Sequence, residues 1–281
     1  MTISVIILTF NSERTIAKTI ESAAKVSDDI HIVDSYSSDR TLEILHQYSV
    51  NLVQHPFENY GAQRNWAIAN LPLKHEWELH LDADERLTDG LITELNQLAI
   101  KFPDGTNGYY IGRIVHFMDR PINHGGMYKI FHLRLFRHGL GRCESRKYDQ
   151  HFYAEGTTAK LQAAFIDDIR MSLSEWTFRH NRWADAEVNE LATNDQAGRI
   201  APSLSGNPVQ KKRFLRGIYN DTPLFVRPFL LFIYRYFLRL GFLDGKEGLI
   251  FFVLQTFWFR FLIDAKLLER QLLERQEEQH D

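Results

Sequence analysis

Ile3-Ser4-Val5-Ile6-Ile7-Leu8, followed at once by Thr9-Phe10-Asn11-Ser12-Glu13, is the stretch that decides the fold. A short β-branched apolar run with no polar alternation reads as a strand buried on both faces, and such strands belong to parallel sheets covered by helices. Working outward, Ile16, Ile20 and Ala23 or Ala24 recur at helical spacing between Glu13 and Ala24. Asp29 to Val33 is strand-like again, Thr41 to Tyr48 helical, and Val50 to Gln54 and Trp77 to Leu81 are two more strands around a helix near Ala62 to Ala69. Strand, helix, strand, helix at this spacing predicts βαβ units. Ligands bind at the carboxyl ends of such strands. That places Thr9-Phe10-Asn11, Asp34-Ser35-Tyr36 and Asp82-Ala83-Asp84 at one mouth.

The chemistry concentrates in two of those loops. In Leu81-Asp82-Ala83-Asp84-Glu85, two carboxylates at alternate positions after a strand predict a site for one hard divalent cation with open positions for phosphate oxygens. Asp34 ends the second strand and precedes Ser35, Ser37, Ser38 and Asp39. A carboxylate there reaches a nucleotide's base or ribose, while Ser38 or Asp39 caps the next helix.

Beyond residue 100 the pattern loosens. Tyr109 to Met118 and His132 to Phe136 read as strands around a Gly-rich loop, His124-Gly125-Gly126, and the chain is helical from Ser174. Pro202 to Pro208 reads as a linker, which divides the chain into a catalytic domain over 1–200 and a helical region over 209–281. In that last region Lys211, Lys212, Arg213, Arg216, Arg227, Arg235 and Arg239 are interleaved with aromatic residues. A second aromatic run, from Leu249 to Ile263, holds about 15 apolar residues before Asp264, against the roughly 20 of a spanning helix. The expectation is amphipathic helices lying on an anionic membrane surface.

Composition bounds the alternatives. A chain of 281 residues with formal charge -3 has no global attraction to nucleic acid, and its basic residues lie among apolar runs. One cysteine, Cys143, excludes an internal disulfide framework and reads as a packing residue in a reducing compartment. Met1 to Val5 reads as the start of a strand with no basic n-region, so the protein is expected in the cytoplasm or peripherally on the cytoplasmic face of the inner membrane.

Four segments in order carry a family resemblance. Val5 to Glu13 resembles the opening motif of family 2 glycosyltransferases, and Val33 to Thr41 resembles their second motif. Asn59-Tyr60-Gly61-Ala62-Gln63-Arg64-Asn65 is similar to their donor loop, and Leu81 to Glu85 to their metal motif. The resemblance implies a GT-A fold, an α/β Rossmann-like mixed sheet with helices on both faces. It also implies a nucleotide-sugar donor (usually a uridine diphosphate sugar), Mg²⁺ or Mn²⁺, and inversion at the anomeric carbon. By position it implies that Thr9, Phe10 and Glu13 line the nucleoside pocket and Asp34 reaches the base. Arg64 and Asn65 then lie near the uridine and diphosphate, Asp82 by the ribose or metal, and Asp84 is the main metal ligand.

Past residue 130, His132 to Arg137, Tyr148 to Phe152 and Gly241 to Gly248 look like segments of the WaaE-like branch, which builds lipopolysaccharide core and surface polysaccharide. That branch implies a lipid-linked saccharide acceptor. Many of its members carry Val-His-Glu where this chain has Tyr148-Asp149-Gln150-His151, which leaves the catalytic base between Asp149, the first choice, and His151 or Glu144. An inverting transfer needs such a base opposite the leaving diphosphate. Arg179-His180-Asn181-Arg182-Trp183 faintly echoes the Gln-x-x-Arg-Trp motif of processive synthases, with Arg182 a diphosphate contact and Trp183 an acceptor or core residue. His151 is a further diphosphate candidate.

The same loops disfavour two other classes. A nucleotidyltransferase needs a Gly-rich basic phosphate loop after the first strand, and Thr9 to Glu13 has neither glycine nor lysine. A membrane-surface scaffold with a degenerate transferase domain is marked by loss of Asp82 or Asp84, and both are present.

Overall fold

The computed structural model describes residues 2–145, 150–193 and 200–278. They form two compact units, Met1–Asp119 with Tyr128–Arg170, and Arg120–Met127 with Met171–Asp281.

The first unit opens with β1 (Ile3–Thr9), α1 (Ile16–Ala23), β2 (Ile30–Asp34), α2 (Thr41–Leu45), β3 (Asn51–Gln54), α3 (Tyr60–Asn70) and β4 (Trp77–Asp82). Then follow β5 (Glu85–Leu87), α4 (Asp89–Ile100) and β6 (Thr106–Phe117). The two-residue β7 (Arg120–Pro121) falls in the other unit, and β8 (Ile130–Arg137), β9 (Gly141–Cys143), β10 (Phe152–Ala154) and β11 (Thr157–Ile169) complete the first. The main sheet runs β3-β2-β1-β4-β8-β6-β11-β5. Its first four strands are mutually parallel, and β8 lies antiparallel to both β4 and β6. This is the mixed sheet of the expected GT-A fold.

β1 shows why the sheet is covered twice. Ile3, Val5 and Ile7 pack into a core with Ile16 and Ile20 of α1, while Ile6 faces the other way toward Val33 and Ala67 of α3. Successive side chains point to opposite faces, so an unbroken apolar run demands a helix on each. The helices begin where the sequence supplies caps. Asn59 accepts from the Ala62 amide to start α3, and Thr88 accepts from the Leu91 amide to start α4.

β11, the 13-residue strand beside β6, was not anticipated. Its polar residues mask a strand pattern, yet they are partnered: Asp167 pairs with Arg113 at 3.3 Å and Asp168 with Arg170 at 3.0 Å.

The second unit is helical: α5 (Leu173–Thr193), α6 (Pro208–Asp221), α7 (Val226–Ile233), α8 (Gly245–Phe252) and α9 (Phe259–Glu278). A π-helical turn, Tyr234–Leu238, continues α7, and another, Val253–Trp258, joins α8 to α9. α6 starts on a capping box between Asn207 and Gln210. Trp176, Phe252 and Phe259 are fully buried, and the Trp176 and His180 rings stack at 3.4 Å.

Asp264 is buried and its carboxylate accepts from the Arg227 guanidinium at 2.8 Å, so the acid does not end the helix. One helix among the described residues, Gly241–Glu277, is long and apolar enough by length and composition to cross a membrane, and 39% of its apolar window is buried within the protein.

Candidate active site

Strand register assembles the site. Thr9 lies opposite Asp34, Asp34 opposite Gln54, and Leu8 opposite Asp82, so the three motif loops leave the sheet along one carboxyl edge. The first two loops are stapled together. The Asn11 amide donates to Ser37 Oγ at 2.9 Å, Asn11 Oδ1 accepts from the Ser38 amide at 2.8 Å, and Glu13 Oε2 accepts from the Arg40 amide at 3.2 Å. Asn11 and Tyr36 adopt left-handed backbone (φ 47° and 60°), which turns both loops sharply off the strands. Phe10 and Tyr36 are each more than half exposed, and Phe57 and Tyr60 nearly so. Large rings facing solvent at a strand-end cleft are an arrangement suited to stacking a planar base.

Asp34 is buried and accepts from the Ser37 amide at 3.0 Å and Gln54 Nε2 at 2.9 Å. Gln63 of α3 donates to Ser35 Oγ at 3.2 Å and lies 2.8 Å from His55 Nδ1, bracing the same loop. Thr9 Oγ1 is buried and finds no hydrogen-bond partner among the described residues.

The electrostatic centre lies at the end of β4. Arg64, one turn into α3, grips both oxygens of Asp82 at 2.8 and 3.1 Å. Arg134 of β8 reaches Asp82 at 3.0 Å and Glu85 at 2.5 Å. Burial alone raises the Asp82 carboxyl, but the two guanidinium groups overcome it and hold Asp82 well below the usual carboxylate range. Burial lifts Glu85, against Arg134, and the negative charges of Asp82 and Asp167 add to the lift.

Arg134 and Glu85 were not singled out as site residues. The signal was present: a lone arginine inside Leu133-Arg134-Leu135-Phe136 is buried in a strand and must therefore be paired.

α3 also holds the β9–β10 hairpin. Asn65 Nδ2 donates to the Cys143 carbonyl, and the Cys143 amide donates back to Asn65 Oδ1, both at 2.9 Å. Arg64 lies over the Phe152 ring at 4.9 Å. Burial raises the Cys143 thiol, in keeping with a packing role. Asp149 lies outside the described residues. Glu144 and His151, which flank it in sequence, are buried and joined: the Glu144 amide donates to the His151 carbonyl at 3.0 Å, and the His151 amide to Glu144 Oε2 at 2.9 Å. Arg182 and Trp183 lie on α5 of the second unit, where Trp183 meets His180 edge-on at 4.7 Å and Arg179 faces its ring.

Among the described residues no group of three or more His, Cys, Asp or Glu side chains is arranged to hold a metal ion. Mg²⁺ and Mn²⁺ at phosphate sites ask for less: one or two carboxylates, with the rest of the shell from phosphate and water. The donor chemistry here fits that demand. Asp82 is held by two guanidinium groups, and half-buried Asp84 lies two residues further on, its backbone carbonyl accepting from the Asp168 amide at 2.9 Å.

A parallel half-sheet with acidic and aromatic loops at its carboxyl edge, continued by antiparallel strands, defines a GT-A-type α/β protein. The chain belongs to glycosyltransferase family 2, whose model, Glycosyl transferase family 2, matches residues 4–150. An uncharacterized glycosyltransferase of Rickettsia typhi is 31% identical over 96 residues, 34% of this chain and 32% of that protein. One from Rickettsia bellii is 32% identical over the same length and shares. These matches thus span about a third of the relatives' length. Among solved structures, S. aureus TarS 1–349 in complex with UDP-GlcNAc is similar at 14% identity and TM-score 0.46, over 96% of this chain and 92% of that one. Glucosyl-3-phosphoglycerate synthase from Mycobacterium tuberculosis, in complex with Mn²⁺, UDP and phosphoglyceric acid, is similar at 20% identity and TM-score 0.33, over 41% and 43%.

Proposed function

We propose that this chain is an inverting glycosyltransferase that transfers a sugar from a nucleotide-diphosphate donor, a uridine diphosphate sugar, to a lipid-linked saccharide at the cytoplasmic face of the inner membrane. The reading extends to surface-polysaccharide or lipopolysaccharide assembly of the WaaE-like kind. The observation that carries it is the common carboxyl edge of β1 to β4, whose loops carry four exposed aromatic rings and whose β4 end carries the Asp82–Arg64–Arg134–Glu85 cluster.

Phe10 and Tyr36 stack the base, with Asp34 accepting from it once Ser37 yields. Thr9 and Glu13 shape the wall behind the base. Arg64, already neutralised by Asp82, orients the diphosphate without leaving an uncompensated charge in the site, and Asn65 fixes the hairpin beside it. Asp84, with Asp82 beside it, would hold Mg²⁺ or Mn²⁺. Bound there, the cation neutralises charge on the departing diphosphate.

The acceptor hydroxyl attacks the anomeric carbon on the face opposite the diphosphate, the C–O bond to phosphate breaks, and the hydroxyl proton passes to Asp149. Arg182 is proposed for the diphosphate, and Trp183 for the acceptor or the core of its helix.

The test is sugar transfer from a panel of nucleotide sugars into membrane lipid extract. Wild type is expected to label a lipid fraction, and Asp149→Asn to bind donor while turnover falls by about 10²- to 10⁴-fold. Turnover near wild type in that variant moves the base to Glu144 or His151. No transfer from any donor by folded wild type favours a scaffold.

A further inference from the structure

The second unit holds a cation with no counter-charge. Arg235, in the π-helical turn after α7, is mostly buried, and its polar contact is Met127 Sδ at 2.6 Å. Among the described residues no acidic side chain pairs with it. Arg227, Arg216 and Arg260 of the same unit differ, since each is bonded to Asp264 or Glu187. Burial, reinforced by the neighbouring charge of Arg260, lowers the Arg235 pKa to about 10. A guanidinium taken out of water without an anion is costly, and an arriving anion relieves that cost.

A second guanidinium stands close by. Arg239 is exposed, its Nη1 donates to Tyr234 Oη at 3.1 Å, and a Cβ placed on Gly126 would stand 3.7 Å from its Nη2. The turn between the two arginines is fixed in place. The Gly125 amide donates to the Arg239 carbonyl at 2.9 Å, and Asp244 accepts from the His124 amide at 2.9 Å and from His124 Nδ1 at 2.6 Å. Gly125 and Gly126 both have positive φ, and a Cβ on Gly125 would lie 2.2 Å from the Phe252 ring, so only glycine fits there. From Thr222 to Leu243 the sequence contains no acidic residue, and Asp244, which follows, is buried.

Beside the arginines runs an uncovered apolar ridge. Phe237, Leu238, Phe242 and Leu243 are 52%, 70%, 45% and 56% exposed. Aliphatic and aromatic side chains bordered by arginine match a headgroup boundary, where hydrocarbon lies next to phosphate. Beyond Gly245 the Gly241–Glu277 helix is a poorer lipid face, because Phe251, Phe252, Phe259 and Ile263 on it are at most 3% exposed and serve the core of the unit.

We propose that Arg235 and Arg239, around the Gly125–Gly126 turn, bind the phosphate of a lipid whose hydrocarbon lies on the Phe237–Leu243 ridge. This deepens the lipid-linked acceptor of the proposed function. It assigns a lipid phosphate or diphosphate to the site, and entry through one leaflet without spanning.

The test is co-sedimentation of the full chain with phosphatidylcholine vesicles, alone or with about 10 mol% phosphatidic acid as the phosphate probe. Phosphatidic acid should strengthen wild-type binding about tenfold or more, and Arg239→Gln should weaken it by about five- to tenfold. Arg235→Met should weaken it similarly while leaving the melting temperature unchanged or higher, since it removes a buried unpaired charge. A purely structural Arg235 would instead lower the melting temperature.

The double variant Phe237→Glu, Leu238→Glu should lose vesicle binding by at least about tenfold. If it binds as wild type does, or if soluble pyrophosphate alone displaces the vesicles completely, the site reads free phosphate and the lipid assignment fails. Equal binding by wild type and folded Arg235→Met and Arg239→Gln overturns the site. None of these assays contains nucleotide, so failure here leaves nucleotide binding by the first unit as a separate question.

Discussion

The two units handle buried charge in opposite ways. In the first, Asp82, Glu85, Arg64 and Arg134 close a network at the end of β4, so each charge has a counter-ion within 3.1 Å. In the second, Arg227 and Asp264 are matched in the same manner, but Arg235 is half-buried beside other cations and the adjoining helix face is apolar and uncovered. A closed network preorganises a site without needing its ligand. An open one, bordered by exposed apolar side chains, is relieved at a surface that supplies both an anion and an apolar phase. On the proposed reading, the first unit serves a soluble nucleotide and the second a lipid.

The comparison can be broken most forcefully at Asp84. Asp84→Ala is expected to lower transfer by at least about 10³-fold and to abolish the metal dependence of nucleotide binding, read by titration with and without Mn²⁺. Retained Mn²⁺ dependence removes Asp84 as the ligand.

A smaller but still large effect is expected at Arg134. Arg134→Met strips the buried Glu85 of its partner, and the cost is about 3 to 5 kcal/mol in denaturant unfolding, because the carboxyl must either stay charged without a cation or take up a proton. A loss well below that would mean that the network contributes little to the fold.

The second unit supplies the pH test. Burial holds the His180 imidazole down at about 4, against the usual value near 6.5. Its Nδ1 lies 2.8 Å from the Trp176 carbonyl and its ring stacks on Trp176. The folded chain resists a proton that the unfolded chain accepts. Stability is therefore present above about pH 6.5 and is lost as pH falls through about 4, by roughly 2 to 3 kcal/mol. His180→Gln should flatten that acid slope; an unchanged slope places the acid sensitivity elsewhere. The smallest effect sharpens the local account. Asn59→Ala removes the cap of α3 and should cost about 1 kcal/mol, with a modest rise in the donor KM because Arg64 and Asn65 are positioned by that turn.

What was legible in the sequence follows the period of each element. β1 to β4 and the loops after them were readable because a doubly buried strand is a continuous apolar run, and the edge carrying Thr9, Asp34 and Asp82 followed from it. β11 was not, since its lysine, glutamine and aspartates hide the alternation until Arg113 and Arg170 are brought to them. The Arg134 partnership joins residues 49 positions apart, and no local pattern records it. In the helical region, composition indicated a membrane surface, but which face stays uncovered depends on tertiary packing. The partner of Asp264, Arg227, lies 37 residues earlier, so the pairing that buries this acid leaves no local signature either.

The measurement that bears most directly on the central claim is the melting temperature of the full chain with uridine, guanosine, adenosine and cytidine diphosphates, each with and without Mn²⁺. A ligand that binds the native state raises it by mass action. The account predicts a rise with uridine diphosphate that requires Mn²⁺ and disappears in Asp84→Ala. Folded protein whose melting temperature is unmoved by every diphosphate, with or without metal, would contradict it.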